Sequence, residues 1–181
     1  MNAALVAATG ESHNTGKSTA PPIRLEGFRL RFFLAGIMQG SHFGDAMHTQ
    51  SYRTRLTETL SAAFPHAEIY DPFAGHTDSL SYSLEAARGV FLRHNEMCGE
   101  VDVVVAYIPE ASMGTAIEMW EAYRNGRVVL CISPLSKNWV VKFCSHARWD
   151  DLDQFAADIA SGVVAERIAA IVASRESSAA S

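Results

Sequence analysis

"VDVVVAYIPEASMGTAIEMWEAYRNGRVVLCISP", residues 101–134, decides the fold. It begins with an almost unbroken run of β-branched apolar residues, as in a strand buried on both faces. Turn formers around Pro109 follow, and from Gly114-Thr115 the apolar spacing becomes helical. Asn125-Gly126 supplies the usual stop for that helix. "GRVVLCIS" then reads as a second buried strand. Strand, helix and strand in this order predict a parallel pair joined by a right-handed crossover.

The same alternation extends in both directions. "RLRFFLAG" reads as a strand, "SYRTRLTETLSAAF" as a helix, and "AEIYDP" as a short strand stopped by Pro72. "SLSYSLEAARGVFLRHNEMCGE" is mostly helical, with Asp78 a candidate cap. After residue 134 come a candidate helix in "LSKNWVVKFCSHA", an edge strand in "ARWD", and a closing helix in "DLDQFAADIASGVVAERIAAIVAS". The expected fold is a doubly wound parallel α/β sheet of about five strands, with helices on both faces. Residues 27–174 form the expected single domain, between a flexible arm (1–26) and a disordered tail (175–181).

The 181 residues are 48% hydrophobic, enough for one core, and carry a formal charge of -5. No basic run is present, which argues against duplex nucleic acid as a partner. No apolar stretch is long enough to span a membrane. Three widely spaced cysteines, Cys98, Cys131 and Cys144, form no CxxC pair and fit small buried hydrophobes in a reducing compartment, hence a cytoplasmic protein. No metal-ligand spacing appears. "GESHNTGKST" imitates a phosphate-binding loop, but five residues separate Gly10 from Gly16 where that motif has four, and Pro21-Pro22 break the helix it requires.

Ligands of such sheets bind beyond the carboxyl ends of the strands. "LAGIMQGSHFG", "YDPFAGHTD" and "YIPEASMGTAIE" should meet there. In the last, Ser112 or Thr115 can cap the helix, and Gly114 admits a ligand close to free N–H groups that suit a phosphate or sugar hydroxyl. Glu118 is expected in the first turn. The helix dipole there favours its ionised form, while burial among Ile117, Met119 and Trp120 opposes it. Asp71 and Asp78 are candidates for a second carboxylate, although each also suits a turn or cap. His42 and His48 read as solvated loop histidines. No GxSxG is present, so a serine nucleophile finds no support.

"FFLAGIMQG", residues 101–134 and the following "NWVV" resemble the nucleoside 2-deoxyribosyltransferase superfamily, which includes 2'-deoxynucleoside 5'-monophosphate N-hydrolases and CMP hydrolases. The likeness spans about residues 30–160. It implies a flavodoxin-like sheet, a homodimer or larger homo-oligomer, and cleavage of the bond between sugar and base without metal or organic cofactor. The catalytic Glu of that family falls on Glu118. Its transferases carry an Asp six residues earlier, where this chain has Ser112, as the monophosphate hydrolases do. Two positions depart from the pattern. Gln39 stands near the place of a phosphate-binding Arg, and His94, eight residues before Asp102, replaces an Asp. Phe33 stands where some members have Tyr.

The resemblance thus implies an N-glycosidase acting on a nucleoside 5'-monophosphate. Glu118 would attack or stabilise the cationic sugar. His94 or Asp71 would assist the leaving base. Gly36, Gln39, Gly40, Ser112 and Gly114 would hold the phosphate end, with Asn138 near a neighbouring subunit's site. The alternatives are a deoxyribosyltransferase, a nicotinamide-nucleotide glycohydrolase by analogy of fold and chemistry, and a nucleotide-binding module without turnover.

Overall fold

A computed structural model of the chain describes residues 29–39 and 47–179. The arm over 1–26, the discarded phosphate-loop look-alike, Gly40 and His42 lie outside the described residues. Five strands, β1 (Arg31–Gly36), β2 (Glu68–Tyr70), β3 (Val103–Tyr107), β4 (Val128–Ile132) and β5 (Ala147–Trp149), form one sheet. All neighbours pair in parallel, in the order β2-β1-β3-β4-β5. Six helices alternate with them: α1 (Ser51–Ala63), α2 (Leu84–Glu100), α3 (Met113–Arg124), α4 (Trp139–Phe143), α5 (Leu152–Ala160) and α6 (Val163–Ala179). The flavodoxin-like expectation holds.

Period-two alternation divides the strands between two cores. Phe32, Leu34, Val103, Val105, Leu130 and Ile132 face Leu56 and Leu60 of α1, Phe155 of α5 and Ile168 of α6. Phe33, Ala35, Val104, Ala106, Val129 and Cys131 face Cys98 of α2, Met119 and Ala122 of α3 and Val141 of α4. Both faces of β3 and β4 are therefore covered, which explains why their sequences do not alternate. The three cysteines are free and buried, and burial raises the pKa of each thiol. Asp102 is structural: its carboxylate accepts the Arg31 N–H at 2.8 Å where β1 enters the sheet.

Three details depart from the sequence reading. The closing helix is two helices, broken at Gly162, whose φ of 84° is open to glycine at little steric cost. The second of them runs on to Ala179, beyond residue 174. Asp78 makes no side-chain cap bond; Ser83 caps α2 instead, accepting the Ala86 N–H at 3.2 Å.

Because the chain runs outward from β1 to β2 on one side and to β3 on the other, a crevice opens beyond the carboxyl ends of β1 and β3. Its foundation is Arg53, a guanidinium only 2% exposed on the sheet side of α1. It donates to the carbonyls of Leu34 (2.9 Å) and Gly36 (3.2 Å), to Gln50 (2.8 Å) and to the Asp71 carboxylate (2.9 Å). One side chain thus joins the ends of β1 and β2 to the start of α1. Gly36 itself lies against Tyr52: a Cβ added there would come within 2.9 Å of the Tyr52 ring carbons.

Two stability outcomes follow. Arg53→Ala leaves two strand-end carbonyls and Asp71 without their donor and should cost about 3 kcal/mol, at the low end for a broken buried pair because Asp71 is partly open to water. Gly36→Ala should cost about 2 kcal/mol by overpacking. Urea unfolding of each variant beside the parent checks both. A change under about 0.5 kcal/mol in either would contradict the packing described.

Candidate active site

At the crevice, α3 begins with Ser112 in extended conformation. Its Oγ accepts the Thr115 N–H at 3.4 Å and lies 3.0 Å from the Thr115 hydroxyl. Ser112, rather than Thr115, is therefore the cap. Met113 and Gly114 in the first turn are exposed, and a side chain built at Gly114 would meet open space. Room for a ligand thus exists where the helix start presents its N–H groups.

Glu118 lies in the second turn of α3, not the first; no acidic residue occupies the first turn. The dipole contribution expected from the sequence is correspondingly weak, because it fades beyond the first turn. Desolvation dominates and pushes the Glu118 carboxyl up to about 8, while the positive charge of Arg53 opposes the rise. Glu118 is a part-buried acid whose charged form is costly.

The cleft has a volume of about 370 Å³. Glu118, Ser112, Gly114 and Thr115 line one side, Gly36 and Gln39 another, and His94 a third. Of the residues singled out from sequence, these six besides Thr115 converge. Two do not. Asp71 is absent from the lining: its Oδ1 is held by Arg53 and accepts the Phe73 N–H at 2.9 Å, so it braces the strand ends rather than serving as an acid to a ligand. Asn138 caps α4, accepting N–H bonds from Val140 (3.0 Å) and Val141 (3.3 Å). It lines a separate adjacent cavity of about 340 Å³ that shares only Ser112 and Met113 with the first.

His94 is buried on α2, with its Nε2 3.1 Å from the Tyr70 hydroxyl and its ring edge-on to Phe33. Desolvation foremost, then the charges of His76, Arg53 and Arg93, lower its pKa to about 4. At neutral pH it is an uncharged imidazole. Phe33 is fully buried in the core and stacks on Tyr70, so it packs beneath the site.

The cleft also contains residues the sequence reading passed over. His76, after β2, places Nδ1 2.9 Å from the Tyr82 hydroxyl, and its ring meets that of His94 at 5.2 Å. Both His76 and Tyr82 line the cleft, as do Ala87, Val90 and Phe91 of α2. Arg53 carried a legible signal: it shares a helical stripe with Leu56 and Leu60, a core position for a charged residue. His76 carried none, since a histidine in a polar loop is ordinarily solvated. Among the described residues, no group of three His, Cys, Asp or Glu side chains is placed to hold a metal ion, and no helix is long and apolar enough to cross a membrane.

The chain matches no family model and no curated protein. Solved structures do resemble it. A 2-deoxyribosyltransferase from Bacillus psychrosaccharolyticus superposes with a TM-score of 0.53 at 19% identity, over 70% of this chain and 90% of that one. A conserved protein from Enterococcus faecalis gives 0.49 at 18% identity over 74% and 99%, and a CMP N-glycosidase from Clostridium botulinum gives 0.44 at 15% identity over 71% and 96%. The described domain therefore shares the α/β fold of the Bacillus 2-deoxyribosyltransferase.

Proposed function

We propose that the protein is an enzyme that cleaves the N-glycosidic bond of a nucleoside 5'-monophosphate, with Glu118 acting on the anomeric carbon. The observation that carries the reading is the position of Glu118: among the described residues it is the one carboxylate lining the cleft, inside the crevice beyond β1 and β3 and in the second turn of a helix capped by Ser112. Its place in the Gly-x-x-x-Glu sequence of Gly114 to Glu118, and the fold shared with a deoxyribosyltransferase, support the same chemistry.

Loss of a base leaves positive charge on the sugar ring. A carboxylate below the ring stabilises that charge or bonds to the anomeric carbon, and water then releases the sugar phosphate. The low-dielectric setting that makes ionised Glu118 costly also makes its attraction to a cationic sugar strong. The open first turn of α3 at Met113 and Gly114, with the Ser112 hydroxyl, offers donors for the phosphate. Gly36 and Gln39 flank that end. Met113, which lines the neighbouring Asn138 cavity, and Trp139 and Phe143 of α4 are exposed, and a second copy of the chain is the partner we propose for them.

The test is chromatographic. Nucleosides, nucleoside monophosphates and NAD are incubated with the protein, with and without a second free base, and released base is measured. Release from monophosphates in water is expected, with Glu118→Ala reducing kcat/KM by more than about 10³-fold. Exchange only in the presence of a second base would assign transfer instead. Binding without turnover, unchanged in the variant, would leave a binding module.

The pH dependence has a definite sign. The working form of Glu118 is the carboxylate and its folded pKa is about 8, so ionisation of Glu118 should raise kcat/KM as pH approaches that value, until any donor to the leaving base loses its own proton. Stability should move the other way. A folded pKa above the unfolded one contributes stability that is full below about 4.5 and lost as pH rises through about 8. Glu118→Gln should therefore be inactive, match the parent in Tm near pH 4, and exceed it by a few degrees at pH 9. A variant that melts below the parent at pH 9 would count against a buried, uncompensated carboxylate.

A further inference from the structure

Departure of a nucleobase needs a proton or a strong hydrogen bond on the nitrogen that leaves, and the described cleft supplies one carboxylate, already committed to the sugar. Asp71 is bound to Arg53 outside the lining, and His94 is held neutral with Nε2 against Tyr70. Among the described lining residues, the remaining titratable side chains are His76 and Tyr82, joined at 2.9 Å. We propose that His76, aimed by the Tyr82 hydroxyl, hands the proton to the leaving base. The inference rests on the N-glycosidase reading above and adds to it the residue that serves the leaving group.

Three observations carry it. First, the pair lines the same cleft as Glu118. On the reading above, the phosphate lies at the start of α3 by Ser112 and Gly114 and the sugar at Glu118, which leaves the base for the surface formed by Ala87, Val90 and Phe91 of α2 together with His76 and Tyr82. That end joins apolar and aromatic surface to polar ring edges, as a flat heterocycle requires. Second, His76 is oriented on both sides. Tyr82 takes Nδ1, leaving Nε2 as the second ring nitrogen, and the His94 ring packs edge-on against it. Third, His94 is itself fixed by Tyr70, which stacks on the buried Phe33 of β1. A chain of ring contacts thus runs from the sheet to His76.

The step balances. The bond between the anomeric carbon and the base nitrogen breaks, and its electron pair goes to that nitrogen, which takes the proton from the His76 imidazolium. The water that then bonds to the anomeric carbon gives a proton to neutral His76. Nucleotide and water become free base and sugar phosphate, and His76 is restored.

The experiment compares leaving groups. Guanosine and uridine 5'-monophosphates are paired with 7-methylguanosine and 5-nitrouridine 5'-monophosphates, whose bases depart without needing a proton. His76→Ala should lower kcat/KM by about 10²–10⁴-fold on the ordinary base that the parent enzyme cleaves, and by less than about tenfold on its activated partner. Tyr82→Phe should show the same pattern with a smaller loss. Glu118→Ala should be slow on both members of a pair. Equal losses on both members for His76→Ala would show only a damaged cleft and overturn the proposal, as would unchanged rates. Circular dichroism and Tm identify a variant that has failed to fold, and His76→Gln then takes its place with the same expectation. If the parent protein releases no base from any monophosphate, ordinary or activated, the N-glycosidase reading itself fails, which is a different result from an insensitive His76.

Discussion

The buried guanidinium of Arg53 is the constraint on which the site depends. It accounts at once for the carbonyls of Leu34 and Gly36, the Asp71 carboxylate and the entry to α1 at Gln50. Burying such a charge is costly unless its donors are occupied, and here they hold together three segments that meet only at the strand ends. The same charge reaches Glu118, where it opposes desolvation and keeps the carboxyl from being more strongly protonated. Fold and chemistry are therefore coupled at one residue: the group that closes the end of β1 also sets the electrostatics of the cleft above it.

Most of the fold was legible because its strongest signals are local. The unbroken apolar runs of β3 and β4 announce strands covered on both faces, and two buried clusters confirm that they are. Pro72 ends β2 and Asn125-Gly126 ends α3, each by backbone chemistry that a sequence displays directly. The break between α5 and α6 was not legible in the same way. Apolar spacing continues across it, and only the positive φ of Gly162 separates the two helices.

The site was legible in part, and the division has a physical cause. Glu118, Ser112 and Gly114 lie within one turn-to-helix segment, so a local pattern and a family resemblance both find them. The placement of Asp71, His94, His76 and Tyr82 is decided by contacts between distant segments. Asp71 read as a free carboxylate at a strand end, yet Arg53, 18 residues earlier, claims it. His94 read, with Asp71, as one of two residues that could assist the leaving base; burial holds it uncharged, and its Nε2 lies against the Tyr70 hydroxyl. His76 read as nothing in particular until the sheet brought it against His94. The position of Glu118 one turn deeper than expected matters for the same reason: desolvation, rather than the helix dipole, governs its charge.

The central claim is that Glu118 is a part-buried, desolvated acid facing a cleft that takes a nucleotide, and carbon-detected NMR of the protein labelled at its glutamate carboxyls tests it most directly. Glu118 is assigned by its disappearance in Glu118→Gln. The account predicts a carboxyl that titrates with a midpoint near pH 8 in the free protein, and whose resonance moves when a nucleoside 5'-monophosphate is added. A carboxyl that titrates near the ordinary glutamate value of about 4.3 and ignores every nucleotide would contradict it.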